Sequence, residues 1–146
     1  MKLVLQRVSQ AQAAVEGEIV GRIGAGLVIL VGLARSDTVT TLQRATDQVV
    51  HLRIFPDGQG KMNRSALEIQ AELLIVPQFT LLASTAQGRR PDFTAAMEAS
   101  LARELFVQWI GQLAATGLKV AQGRFQTHMQ VTLVNDGPVT LVLEIS

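Results

Sequence analysis

Hydrophobic and polar residues alternate along the first part of the chain. Lys2 to Val8 and Ala11 to Val20 show this alternation, interrupted by a Glu-Gly-Glu segment, and predict a strand followed by a hairpin. Three glycines then mark turns before an apolar segment, Leu27 to Leu33, that predicts a further strand. The chain is therefore expected to begin as an antiparallel sheet.

Two segments have the period of an amphipathic helix. Between Thr38 and Leu52 apolar residues recur every three or four positions, and Asp37 is the expected N-cap. A longer helix is expected to begin at Asp92 or Thr94 and to end before Gly117. Its apolar ridge consists of Met97, Leu101, Leu105, Phe106, Trp109, Ile110 and Leu113. A stripe of this width is expected to cover a sheet.

The remaining segments place strands around these helices. Strands are predicted at Arg53 to Phe55, at Leu73 to Leu81 and at Leu118 to Phe125, with a short helical turn at Ser65 to Ile69. Pro77 interrupts the second of these strands and favours an edge position or a break at a cleft. The order of elements predicts an α+β fold with a mostly antiparallel sheet, two main helices and one domain over residues 1–146.

Two apolar segments near the C-terminus, His128 to Val134 and Val139 to Ile145, flank the sequence Asn135-Asp136-Gly137-Pro138. Asp-Gly between such segments is a common hairpin signal, so the pattern predicts strand, tight turn and strand. Glycine tolerates positive φ, whereas proline fixes φ and has no N–H, so the turn should be stiff and expose bare backbone. It is either an ordinary hairpin turn or a steric gate.

Composition indicates a globular protein. The 146 residues, 48% of them hydrophobic, suffice to bury a core. The longest apolar segment, Leu27 to Ala34, is too short to cross a bilayer, and the first residues alternate like a strand instead of forming a signal peptide. The absence of cysteine excludes a disulfide framework and fits a cytoplasmic location.

Charge provides no global attraction to nucleic acid. The net charge is only +1, so any contact with RNA must be local. Three basic pairs are candidates for such a contact: Lys61 with Arg64, Arg89 with Arg90, and Lys119 with Arg124. Each pair also fits an ordinary solvated surface. Arg89 and Arg90 are favoured because a proline-fixed turn places them beside the apolar strand that ends near Leu81.

Common catalytic motifs are absent. The sequence has no Gly-x-Ser-x-Gly elbow, no His-Glu-x-x-His and no Walker loop. Its two histidines, His51 and His128, are expected to be surface or core residues, so neither a metal site nor a cofactor is expected. An enzyme with this sequence would have to work through shape, backbone donors and the groups of its substrate.

An ordered set of short motifs resembles the D-aminoacyl-tRNA deacylases. The set comprises Gln6-Arg7-Val8, Gly24-Ala25-Gly26-Leu27, Arg53-Ile54-Phe55, Gly60-Lys61-Met62-Asn63, Gln78-Phe79-Thr80-Leu81, Arg90-Pro91-x-Phe93, Gly123-Arg124-Phe125, Met129-Gln130-Val131 and Asn135-Asp136-Gly137-Pro138-Val139-Thr140. Each motif alone is weak. Together they extend nearly from end to end in chain order, which makes the resemblance specific.

The resemblance implies a barrel-like homodimer that cleaves the ester between a D-amino acid, or glycine, and the terminal ribose of tRNA. Gly137 and Pro138 would form a cis peptide bond and enter the partner's active site, where their carbonyls would clash with any L side chain. Gln78, Phe79 and Thr80 would line the catalytic site, with the Phe79 N–H donating to the developing oxyanion.

Further roles follow from the same resemblance. Arg7 would hold the Gly-Pro turn by donating to backbone carbonyls, although a solvated arginine is equally consistent with its position. Phe125 and Met129 would border the substrate pocket, where residues of these types are otherwise core. Thr80 would position the substrate, because its motif has no histidine or lysine to accept a proton, and the terminal 2′-hydroxyl of tRNA would help to activate water.

One position departs from the family pattern. Most members have serine where this chain has Pro77, and a related branch that edits L-alanine on tRNA also has proline there. That branch has alanine in place of Phe79 and threonine in place of Val134, so these two positions favour D specificity. Pro77 leaves open an editor of L-alanyl-tRNA. A non-catalytic RNA- or protein-binding dimer and a small-molecule esterase are also compatible with the sequence.

Overall fold

Strands and helices cover most of the chain in a mixed α+β fold, described over residues 1–146 by a computed structural model. The strands are β1 (Lys2–Val15), β2 (Glu18–Ile23), β3 (Gly26–Gly32), β4 (Phe55–Pro56), β5 (Met62–Arg64), β6 (Glu72–Pro77), β7 (Val120–Gln122) and β8 (Gln130–Glu144). The helices are α1 (Val39–His51), α2 (Ala66–Ile69) and α3 (Ala99–Ala115). None of these helices has the length and hydrophobicity that crossing a membrane requires.

The main sheet is organised around β1 and curls into a nearly closed barrel. β1 pairs antiparallel with β2 and β3 along one edge and with β8 along the other. β6 pairs parallel with β3, and β7 pairs parallel with β6, which extends the sheet beyond β3. Gly21 of β2 comes so close to β7 that an added Cβ would lie 2.7 Å from the Gln122 carbonyl oxygen. This approach brings the two ends of the sheet together, and the mostly antiparallel, barrel-like prediction is confirmed.

Apolar side chains pack on both faces of the sheet. Val28 and Leu74 belong to a small cluster on one face, whereas their strand neighbours Leu27 and Leu73 face the larger cluster beneath the helices. Trp109 of α3 is fully buried in that larger cluster, and its Nε1 donates to Thr46 Oγ1 at 3.1 Å, which links α3 to α1.

The cap of α1 differs from the expected one. Thr38 is the N-cap, and Asp37 lies buried just before the helix. The Asp37 carboxylate accepts hydrogen bonds from the Ala34 N–H and from the α-ammonium group of Met1, both at 2.6 Å. Asp37 therefore holds the chain before the helix instead of capping it.

The predicted start of α3 was also wrong. The Asp92 carboxylate accepts a hydrogen bond from the Thr94 N–H at 2.6 Å within a loop, and α3 begins later, after the N-cap Glu98. Leu101 of the predicted ridge is 52% exposed. The predicted positions Phe106, Trp109 and Leu113 are buried, and Ala102 joins them in the buried stripe. The end before Gly117, where φ is 89°, agrees with the prediction.

Three predicted strands are shorter in the structure. β6 ends at Pro77, and residues Phe79–Leu82 form a 3-10 helix instead of continuing the strand to Leu81. Proline has no N–H for the ladder, so the break follows from the residue itself. β4 begins at Phe55, and β7 covers only Val120–Gln122.

The predicted C-terminal hairpin was wrong, because β8 is one strand along nearly the whole of β1. It pairs from Ala14↔Gln130 to Lys2↔Glu144. Gln6 pairs with Thr140 and Val8 with Asn135, so residues 136–139 lie opposite Arg7 alone and form a bulge. We call residues 136–139 the tip. Since β1 is 14 residues long, both apolar segments pair with it and not with each other.

Candidate functional site

An apolar pocket of about 620 Å³ lies where β3 and β6 end. Because the two strands run parallel, their carboxyl ends meet at the same edge, and Val31 pairs with Pro77. The Gln78 N–H continues this pairing by donating to the Val31 carbonyl at 2.7 Å. The start of α3 and the segment before β8 complete the lining.

The segment after Pro77 presents polar groups at this pocket. Gln78 and Phe79 line it, whereas Thr80 does not and instead accepts a hydrogen bond from Gln78 Nε2. Phe79 and Thr80 open the 3-10 helix, so their backbone N–H groups have no partner within the chain. Free, adjacent N–H donors are suited to bind a carbonyl oxygen or an oxyanion.

An aromatic pair marks the mouth of the pocket. Phe79 is 59% exposed, and its ring meets the Phe93 ring edge-on with centroids 5.0 Å apart. Phe93 follows a loop that two backbone hydrogen bonds of 2.8 Å close between Ser84 and Asp92. The predicted RNA contacts Arg89 and Arg90 lie within this loop and are exposed.

Residues 125–129 form the opposite wall. Phe125 and Met129 both line the pocket. The Phe125 ring packs against Phe106 at 5.9 Å, and the guanidinium carbon of Arg103 lies 5.4 Å from its centroid. Arg103 also donates to Gln126 Oε1 at 2.8 Å. This arginine fixes the wall from α3, and no sequence motif pointed to it.

His128 also lines the pocket, with an exposed side chain. The sequence interpretation placed it on the surface or in the core, although its position next to Met129 was a signal for the site. It is the one titratable residue among those that line the pocket. No three His, Cys, Asp or Glu side chains lie close enough together to hold a metal ion.

Two carboxylates near the mouth are stabilised in their charged form. Hydrogen bonds from the Thr94 backbone, and then from its hydroxyl, lower the pKa of Asp92 below its ordinary value. The Ser100 hydroxyl, followed by the Ser100 N–H, lowers the pKa of Glu98 in the same way. Both residues are therefore ionised at neutral pH and are committed to local turns.

The tip is a separate feature, and its Gly137-Pro138 peptide bond is cis. Arg7 Nε donates to the Asp136 carbonyl at 2.8 Å, which is the expected contact with the backbone of the turn. Its Nη1 donates to the Ile54 carbonyl at 2.6 Å and so anchors the tip to the chain before β4. Sequence reasoning missed the contribution of Asn135, whose Oδ1 accepts from the Val139 N–H at 2.8 Å.

The structure thus separates the predicted site residues into two groups within one chain. Gln78, Phe79, Phe125 and Met129 meet at the pocket, and Thr80 adjoins them through Gln78. Arg7, Gly137 and Pro138 are absent from its lining, and residues 136–138 of the tip are exposed.

Comparison with known sequences identifies the family. The family model described as D-Tyr-tRNA(Tyr) deacylase matches residues 4–144. D-aminoacyl-tRNA deacylase of Desulfitobacterium hafniense (strain DSM 10664 / DCB-2) is 50% identical over 144 residues, which cover 99% of this chain and 97% of that protein.

Solved structures agree with this result. The c-Myc DNA unwinding element binding protein superimposes with a TM-score of 0.92 at 38% identity, covering 99% of this chain and 98% of that chain. A chain described as a probable eukaryotic D-amino acid tRNA deacylase has the same fold, with a TM-score of 0.84 at 20% identity over 97% of each chain. The protein therefore belongs to the D-aminoacyl-tRNA deacylase family.

Proposed function

We propose that this protein hydrolyses the ester bond of D-aminoacyl-tRNA in the cytoplasm and releases free tRNA and the D-amino acid. Family membership over nearly the whole chain carries the proposal. Residues 1–146 act as one domain. A site that excludes L side chains without recognising D side chains also admits glycine, so glycyl-tRNA(Ala) is a second substrate.

The working form is a homodimer in which the tip of each chain enters the pocket of the other. An exposed tip, rigidly held and outside the pocket of its own chain, supports this arrangement. β8 also pairs on one edge only and exposes Val134 and Val142, at 46% and 62%, which is typical of a surface that a second chain covers. In the dimer, the carbonyl groups of Gly137 and Pro138 collide with an L side chain.

Backbone donors and the substrate itself supply the chemistry. The free N–H group of Phe79, a residue that lines the pocket, stabilises the oxyanion that forms when water attacks the ester carbonyl. Gln78 orients Thr80 by donating to its hydroxyl. The 2′-hydroxyl of the terminal adenosine assists the attacking water, since no carboxylate lines the pocket.

Thr80→Ala is expected to lower the single-turnover rate with D-Tyr-tRNA by less than about a hundredfold. The hydroxyl has no adjacent base, and the backbone N–H groups survive the substitution. Rapid-quench measurement of the chemical step tests this expectation, with Thr80→Ser as the matched control. A loss of about a millionfold, as found when a catalytic nucleophile is removed, would restore a covalent role for Thr80.

Release of amino acid from D-Tyr-tRNA at substoichiometric protein concentration tests the function as a whole. The enzyme clears the ester, whereas a non-catalytic binding protein would protect it. Turnover of simple D-tyrosine esters without RNA would indicate a small-molecule esterase. Preferential turnover of L-alanyl-tRNA would instead make Pro77 the mark of an L-alanine editor.

A further inference from the structure

Three exposed arginines lie on segments that are joined to residues at the pocket mouth. We propose that Arg35, Arg89 and Arg90 bind backbone phosphates of the single-stranded 3′ end of tRNA. This inference rests on the proposed function and specifies how that site holds its RNA substrate beyond the terminal nucleoside.

The loop that carries Arg89 and Arg90 is fixed to the pocket. Hydrogen bonds of 2.8 Å in both directions between Ser84 and Asp92 close the loop. The next residue, Phe93, packs its ring on Phe79, which lines the pocket. The two guanidinium groups are therefore presented a few residues from the mouth instead of on a distant surface.

Arg35 joins this group from the end of β3. Its backbone N–H donates to the Ala95 carbonyl at 3.1 Å, and its Nε donates to the Ala96 carbonyl at 3.3 Å. Ala96 lines the pocket and forms a bridge with Ala34. Arg35 is thus held against the segment that follows this loop, and its positive charge helps to lower the pKa of Asp92, after the stronger effect of the Thr94 hydrogen bonds.

These three cations remain free to take a ligand. None of them takes part in any ion pair of the chain. The neighbouring acids are engaged elsewhere, because Asp92 accepts from the Thr94 N–H and Glu98 caps α3. A planar guanidinium with free N–H groups matches the oxygens of a phosphate.

RNA backbone is the ligand that this position fits. The pocket is mostly apolar, with 12 hydrophobic residues among its 17, and suits an aminoacyl group with its terminal nucleoside. The nucleotides that precede the terminal one must then run across the mouth of the pocket, where their phosphates lie close to the arginines. The protein has a net charge of only +1, so such a local cluster must supply the electrostatic attraction.

Two substrates that differ only in RNA length test the assignment. Arg35→Gln and the double variant Arg89→Gln/Arg90→Gln are compared on D-Tyr-tRNA and on the D-tyrosyl ester of adenosine. We expect kcat/KM for the tRNA ester to fall about tenfold or more, and that for the adenosine ester to fall less than about threefold. Arg44→Gln, an exposed arginine on α1, is the matched control and should change neither value.

The dissociation constant for tRNA without an attached amino acid, measured over a series of salt concentrations, does not depend on catalysis. Each lost phosphate contact on a single strand flattens the slope of log Kd against log salt by about 0.7, so the double variant should flatten it by about 1.4. An unchanged salt slope would overturn the assignment. Equal losses of kcat/KM for the tRNA ester and the adenosine ester would also overturn it. If the unmodified protein cleaves neither ester, the proposed function fails, while the salt series still tests the arginines.

Discussion

Substitution of Gly137 by alanine is expected to lower the preference for D-Tyr-tRNA over L-Tyr-tRNA by about a hundredfold. The added Cβ would lie 2.7 Å from both the Val139 N and its Cγ2. Gly137 also has φ of 151°, which residues with a side chain rarely adopt. The tip must therefore shift and collide less with an L side chain, and a displacement of about 1 Å is of the size that changes a rate about a hundredfold.

The measurement is the ratio of kcat/KM values for the D and L esters on the same tRNA. Gly111→Ala is the matched control, because Gly111 lies exposed on α3 and an added Cβ there meets nothing within 4 Å. Thermal unfolding of both variants separates a local shift of the tip from a loss of fold. Discrimination equal to that of the unmodified protein would show that the tip does not select chirality.

Replacement of the terminal 2′-hydroxyl of tRNA by hydrogen is expected to slow hydrolysis about a thousandfold. The pocket offers backbone N–H donors and no carboxylate, and the proposed mechanism assigns the positioning and activation of water to the substrate rather than to His128. General-base assistance contributes about a hundredfold to ten-thousandfold to a rate, and the expected loss lies within that range. The loss should exceed that of Thr80→Ala.

The experiment compares single-turnover rates of D-tyrosyl esters on tRNA with a ribose or a 2′-deoxyribose at the terminal adenosine. The dissociation constants of the two tRNAs without an attached amino acid are measured as well. If they are equal, the difference in rate reports the chemical step and not binding. If the deoxy substrate reacts within about tenfold of the normal one, the proton acceptor lies in the protein. His128, which lines the pocket, would then be the first residue to substitute.

The sequence predicted elements wherever local chemistry determines the outcome. The 3.6-residue period identified α1 and α3, and Pro77 marked the point where β6 breaks at the pocket. Starts of helices were less predictable, because Asp37 and Asp92 both have side chains suited to capping. Asp37 accepts a hydrogen bond from the α-ammonium group of Met1, a partner set by tertiary structure, whereas Asp92 accepts from the Thr94 N–H in a local turn that precedes the helix.

Long-range pairing explains the errors near the C-terminus. Asn-Asp-Gly-Pro between two apolar segments has the local chemistry of a hairpin, yet the length of β1 lets both segments pair with it as one strand. The resemblance assigned Gln78, Phe79, Phe125 and Met129 to the site, and these four residues line one pocket. It did not locate Arg103 or Arg35, whose roles depend on neighbours more than 20 residues away.

A mixed dimer tests most directly whether the tip of one chain works in the pocket of the other. One chain carries Gly137→Ala and keeps its pocket. Its partner keeps the tip but carries Met97→Trp, which places a larger side chain at the pocket lining. Purification through two different affinity tags isolates the mixed species.

The measured quantity is the ratio of D-Tyr-tRNA to L-Tyr-tRNA hydrolysis in this mixed dimer. The only open pocket in the dimer belongs to the chain with the altered tip. Insertion between chains predicts that the intact tip of the partner restores the discrimination of the unmodified protein. A ratio as low as that of the Gly137→Ala homodimer would contradict the account, because each pocket would then be served by the tip of its own chain.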